Sequence, residues 1–234
     1  MDRLKLPDVL RPYLEPNEVE SLENVASNLR DRLLIRLLFR LGCRISEVLA
    51  LKVEDIDFIQ GTVTILHLKS RLRLSCAHCQ ARLGKSHQFC PRCGAEVVKP
   101  VARAQESKRQ RTLPLDSETL EMLRDFIRRD KTKGIVFRIN RHRAWQIIRE
   151  YAERAGLPSL VNPETGRVHG VSAHKLRDAF AVMAVQRDDS TDSIRMLQEQ
   201  LGHANIGTTM RYRKVAGKEL KDWYARLWEK RDNG

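Results

Sequence analysis

This chain has no long apolar run: nothing in its 234 residues approaches the roughly 20 consecutive apolar residues needed to cross a bilayer. The opening MDRLKLPDVLRPYLEP has no apolar core of the sort a secretory signal carries. Internal repeats and low-complexity tracts are also absent, which excludes solenoids and fibrous or tail-like chains. A cytoplasmic protein with no membrane partner is the expectation. Acidic residues are in short supply, 30 Asp+Glu against 43 Lys+Arg, for a formal charge of +13. A surplus of that size points to a polyanionic partner, most often nucleic acid. Cysteines number only five, and four of them sit together.

Those four form LSCAHCQARLGKSHQFCPRCGAE, two Cys-x2-Cys pairs separated by ten residues. Cys76, Cys79, Cys90 and Cys93 supply four soft sulfur donors, a complete tetrahedron for Zn2+ with no position left open, so the expected metal is structural. Pro91 and Gly94 suit the tight turn that aims both thiolates of the second pair at one ion. His78 and His87 lie nearby but are surplus to four-coordination. Two disulfides would need an oxidising compartment, which nothing in the chain suggests. Zinc contributes on the order of 10 kcal/mol to folding modules of this size. The fifth cysteine, Cys43, falls in a leucine-rich helical stretch and reads as a small buried hydrophobe.

The position of this module is unusual. GTVTILHLKS before it and RQRTLPL after it read as strands, and facing strands normally need a turn of only a few residues. From Lys69 to Arg111 there are eleven Lys/Arg and two acids, so most of the net charge lies in the segment. A ribbon this basic suits phosphate contact.

The remainder is mainly helical. PNEVESLENVASN and LRDRLLIRLLFRLG show helical spacing, the second ending at Gly42. ISEVLAL is a short helix. Asp116 is the expected N-cap of SETLEMLRDFIRRD, and Asn140 precedes RHRAWQIIREYAERAG. VNPETGRVHG is rich in turn residues. AHKLRDAFAVMAVQR, DSIRMLQEQLG and KELKDWYARLWEK are further amphipathic helices. The fold class is mainly α (α+β) with a small antiparallel sheet.

Polar residues recur on these elements in a set order: Arg44 and Glu47 in GCRISE, His174 and Arg177 in HKLR, His203 in LGH, and Tyr212 nine residues later. With this pattern the chain resembles the tyrosine recombinases of the phage integrase and Xer type, over nearly all its length outside the cysteine-rich segment. The resemblance implies a mainly helical catalytic domain made of residues 1–69 and 108–234, with the four-cysteine zinc ribbon of 70–107 inserted in the β-hairpin. It implies a site-specific DNA recombinase or integrase of prokaryotic or viral origin, working at the nucleoid on double-stranded DNA. A homo-oligomer is implied too, tetrameric in synapsis, with Trp223, Leu227 and Trp228 of the last helix docking in trans or on their own core.

The chemistry accounts for the residue types. In-line displacement at a phosphodiester gathers negative charge on the phosphate oxygens, and guanidiniums meet it with paired, permanently charged donors. Arg44 and Arg177 are expected in that role, with Glu47 orienting Arg44. Tyr212 is the expected nucleophile, forming a 3′-phosphotyrosyl link, His174 the proton acceptor or donor, and His203 a hydrogen-bond donor to the phosphate. The general acid for the leaving 5′-oxygen should be Lys69, directly after the first strand, with Lys108 as the rival. Neither ATP nor a catalytic metal is required, because the covalent link conserves the bond energy. Only about fifteen residues precede the catalytic region, where the family carries a further DNA-clamping domain of roughly a hundred residues, so that clamp is expected to be absent or supplied by another chain, with the basic ribbon as a substitute. A recombinase-derived DNA-binding regulator and a type IB topoisomerase-like enzyme are the competing readings.

Overall fold

The computed structural model describes residues 12–66, 71–84, 86–98, 101–105, 110–162 and 165–215. Two compact units emerge, Met1–Ile65 with Arg111–Gly234, and Leu66–Gln110. Lys69, Lys108 and the KELKDWYARLWEK segment lie outside the described residues. Among the described residues no helix is long and apolar enough to cross a membrane.

The first unit is built around one helix. After α1 (Pro16–Asn24), α2 (Leu29–Arg40) starts at Asn28, whose side chain accepts the Asp31 N–H at 2.9 Å. Leu33, Leu34, Ile35, Leu37 and Leu38 are all fully buried, a near-continuous apolar run that suits a helix covered on most sides. Its cover comes from α1, α4 (Ser117–Arg129), α5 (Arg141–Arg154) and α6 (Ala173–Arg187). Asp116, Asn140 and Ser172 cap the last three, each accepting a backbone N–H of the first turn.

Gly42 ends the α2 segment for two reasons. Its φ is +59°, and a Cβ there would lie 2.5 Å from Phe180 Cδ1 and 2.8 Å from Leu201 Cδ2. Only glycine meets both demands. The chain then turns straight into α3 (Ile45–Leu49). Cys43 is buried as expected, but it lies in this turn between α2 and α3 rather than within a helix.

A three-stranded sheet follows, in the order β1 (Ile56–Asp57), β2 (Thr62–Leu66) and β6 (Gln110–Pro114). In β2 the inward residues Val63 and Ile65 are buried and alternate with partly exposed neighbours. VNPETGRVHG contains more than turns: β7 (Leu160–Val161) and β8 (Val168–His169) pair as a short antiparallel hairpin.

The last described helices are α7 (Thr191–Leu201), stopped by the left-handed Gly202, and α8 (Ile206–Val215). α8 is the element that sequence spacing does not reveal. IGTTMRYRKV contains a glycine, two threonines and two β-branched aliphatics, all poor helix formers. Tertiary packing holds it: Met210 and Tyr212 lie against a cluster of Ala181, Val185, Ile194, Leu197 and Leu201 from α6 and α7.

In the second unit β3 (Arg71–Ser75) pairs antiparallel with both β4 (Arg82–Leu83) and β5 (Val101–Gln105). Among the described residues its buried core is Cys76, Leu83 and Cys90, with Leu74, Cys79, Ala81 and Val97 packed on it. So small a core calls for a covalent or metal staple.

Candidate active site

Arg177 is the centre of the site. It is 2% exposed, and its guanidinium bonds the Gly42 carbonyl at 2.7 Å, the Leu201 carbonyl at 2.8 Å and His203 Nε2 at 2.8 Å. Three separate segments therefore meet on one planar cation: the turn before α3, the end of α7, and the loop that carries His203. Burial, and then the nearby charge of Arg44, push its pKa below the ordinary arginine value.

Arg177 can only donate, so His203 Nε2 accepts and the ring is neutral. The proton sits on Nδ1, which faces Thr209 Oγ1 at 2.9 Å. Burial and the charge of Arg177 lower the His203 pKa to about 4. Both ring nitrogens are thus engaged within the protein, whereas the sequence pattern implies a donor to phosphate.

Glu47 collects the other two guanidiniums. It is 2% exposed and accepts from Arg44 Nη1 at 2.9 Å and from the Arg44 backbone N–H at 3.0 Å, closing the first turn of α3. Arg111 Nη2 reaches Oε2, the oxygen that also accepts the Arg44 N–H, at 2.7 Å. Burial alone works to raise this carboxyl, but the Arg111 hydrogen bond and charge, then those of Arg44, outweigh it and hold the pKa at about 2. Arg111 was not singled out by any sequence motif. It lies on β6, donates from Nε to the Gln200 carbonyl at 2.9 Å, and has Nη2 3.4 Å from Cys43 Sγ. Burial pushes the Cys43 thiol up to about 11.

Tyr212 lies beside this cluster, its ring stacked on His203 with centroids 6.3 Å apart and planes 12° apart. Its hydroxyl donates to Asp178 Oδ1 at 2.9 Å. Burial, and then the Asp178 charge, push the phenol well above its usual value. His174, largely exposed, has Nε2 3.7 Å from the same Asp178 oxygen, while Lys175 Nζ is 3.9 Å from the other. Asp178 is a second residue that sequence reading missed, although it immediately follows Arg177. Arg44, Glu47, His174, Arg177, His203 and Tyr212 are thus brought to one locality by α3, α6, α8 and the α7–α8 turn. Three guanidiniums face two carboxylates there, an imbalance suited to an anionic group.

The four clustered cysteines form a separate centre in the second unit. Their sulfurs all lie within 4.8 Å of one another, close enough to hold a metal ion. The two halves repeat one geometry. Cys76 N–H bonds the Ala81 carbonyl and Gln80 N–H the Cys76 carbonyl; Cys90 N–H bonds the Ala95 carbonyl and Gly94 N–H the Cys90 carbonyl. Gln80 and Gly94 both take positive φ, 56° and 70°. Backbone N–H groups of Cys79 and His78 lower the Cys76 thiol, and those of Cys93 and Arg92 lower Cys90. His87 Nδ1 accepts the Gly84 N–H at 3.2 Å.

The family model described as the phage integrase family matches residues 12–81 and 96–219. This chain belongs to that family. A curated relative, the tyrosine recombinase XerA of Pyrococcus horikoshii, is 28% identical over 218 residues, covering 93% of this chain and 62% of the relative. The chain therefore spans about three fifths of the length of such relatives. Among solved structures, XerA recombinase superposes with a TM-score of 0.63 at 20% identity, covering 96% of this chain and 68% of that one. XerH site-specific recombinase, bound to its palindromic difH substrate in a post-cleavage complex, gives 0.59 at 21% identity, covering 95% and 55%.

Proposed function

We propose that this chain cuts and rejoins double-stranded DNA at specific sites through a 3′-phosphotyrosyl link, as a recombinase or integrase. The observation that carries the reading is the gathering of Arg44, Arg177, His203 and Tyr212 around one buried guanidinium, from four stretches of sequence. In this reading a scissile phosphate takes up the cationic surplus. Arg44 reaches it from the partly open rim, and Arg177 turns donors now spent on protein carbonyls toward it. His203, released from Arg177, donates to a phosphate oxygen. Glu47, clamped by Arg111, keeps Arg44 in place. Lys69 protonates the leaving 5′-oxygen, and no catalytic metal or nucleotide takes part.

The four cysteines fit a structural Zn2+: four thiols within reach of one ion, on twin turns whose amides already favour thiolate. Residues 70–107 then form a zinc ribbon inserted into a catalytic domain of 1–69 and 108–234, and its basic face lies on DNA. Assembly into a homo-tetramer at paired sites in the nucleoid completes the proposal, supported by family membership and by XerH being a site-specific recombinase bound to DNA.

The test is trapping on nicked duplexes drawn from a random-sequence library, in which the cleaved fragment diffuses away. The protein should yield a covalent protein–DNA band, and Tyr212→Phe should bind equally well and yield none. An adduct from the Phe variant would remove Tyr212 from this role.

A further inference from the structure

A nucleophilic tyrosine must lose its phenolic proton as its oxygen attacks, so some group within hydrogen-bond reach must take it. The pattern of the sequence assigns that task to His174. In the structure His174 stands one group further out: its Nε2 lies beside Asp178, 3.7 Å from Oδ1. The group that receives the Tyr212 hydroxyl is Asp178 itself, at 2.9 Å.

The charged groups nearest the phenol bear on the choice. Arg177 and Arg44 are permanent cations and cannot accept a proton. His203 has its Nε2 lone pair on Arg177 and a proton on Nδ1. Lys175 is an ammonium lying 3.9 Å from the far oxygen of Asp178 and 3.2 Å from the Pro12 carbonyl. Asp178 is about one-sixth exposed and carries an oxygen that already holds the phenol hydrogen.

Resting on the strand-transfer reading, we infer that Asp178 is a catalytic residue of this chain, the proton acceptor for Tyr212, with His174 relaying the proton to solvent. Tyr212 Oη forms its bond to phosphorus, and the phenol proton passes to Asp178 Oδ1. The P–O5′ bond breaks and the leaving oxygen takes a proton from the hairpin lysine. On rejoining, the 5′-hydroxyl attacks and gives its proton back to the lysine, while the Oη–P bond breaks and Asp178 returns a proton to Oη. A carboxylate beside a phenol also disfavours free phenolate, so the nucleophile stays protonated until a phosphate arrives. Transfer therefore accompanies attack instead of preceding it. His174, three-quarters exposed, lets the proton leave the buried pair.

The experiment combines Asp178→Asn, which keeps the size and an acceptor oxygen, with a fluorinated tyrosine at 212 whose phenol ionises near neutral pH. With ordinary tyrosine, D178N should slow single-turnover adduct formation on the nicked library duplexes by about a hundredfold or more. With the fluorinated nucleophile the deficit should shrink to about tenfold or less, since little proton transfer remains to be assisted. A D178N protein as fast as the unaltered one, or slowed equally with both nucleophiles, overturns the assignment. Failure of the strand-transfer reading looks different: the unaltered protein then traps no duplex at all. A second arm needs no DNA. Fluorine NMR titration of residue 212 should show its phenol ionising at lower pH in D178N than in the Asp178 protein. An unchanged titration overturns the hydrogen-bonded pair on which the inference stands.

Discussion

Arg111 and Glu47, 64 positions apart in the chain, share a 2.7 Å ion pair in which the carboxylate is almost wholly buried. The pair joins β6 to the short helix α3 that Arg44 caps, so the geometry of Arg44 depends on a residue far along the chain. The Glu47 pKa is lowered from 4.5 to about 2, and a lowered carboxyl stabilises the fold above its unfolded value. That stability, on the order of 3 kcal/mol, is lost as pH falls from about 4.5 toward about 2. Urea unfolding at pH 7 and pH 3 should show a larger drop for the unaltered protein than for Glu47→Gln. Equal drops would mean that Glu47 is not the group responsible.

Gly42 is held by both its backbone and its surroundings, and Gly42→Ala tests the two together. A left-handed φ costs an L-residue about 1–2 kcal/mol, and the new methyl must displace Phe180 or Leu201 at a further cost of about 1–3 kcal/mol. Chemical denaturation should show a loss in that combined range. Because the Gly42 carbonyl also accepts from Arg177, trapping should fall more than stability alone explains. Neutral behaviour in both assays would contradict the contacts described.

The two candidate lysines, Lys69 and Lys108, can be separated chemically. Replacing the leaving 5′-oxygen of a cleavage substrate with sulfur removes the need for a general acid, because a thiolate departs unaided. Lys69→Ala should be inactive on the oxygen substrate and close to normal on the sulfur one. If Lys108→Ala is the variant rescued, the general acid lies on the far side of the insert.

For the insert, replacing Arg71, Arg73, Arg82 and Lys85 together with Gln should weaken DNA binding and flatten log affinity against log salt by about one unit per lost phosphate contact. Zinc content, measured by metal analysis, should be unchanged. Cys90→Ser should do more: loss of a ligand releases the metal and unfolds a unit whose buried core, among the described residues, is Cys76, Leu83 and Cys90. An unchanged salt slope in the four-residue variant, with metal retained, points to a protein partner for the ribbon.

What the sequence by itself determined are the features encoded within a few neighbouring residues. Asp116 and Asn140 announce their helices because a cap bonds an amide only three positions on. The paired Cys-x2-Cys turns are legible for the same reason, and so is Glu47 beneath Arg44, one helical turn away. The ordered set Arg44, His174, Arg177, His203 and Tyr212 was legible as a pattern, without its geometry. Tertiary structure alone decided the rest. Arg111 on Glu47, Asp178 on Tyr212 and Thr209 on His203 depend on side chains meeting across packed elements, and spacing along the chain does not record those meetings. Helix α8 belongs with them: its residues are individually poor helix formers, and burial of Thr209, Met210 and Tyr212 against α6 and α7 supplies what local propensity withholds.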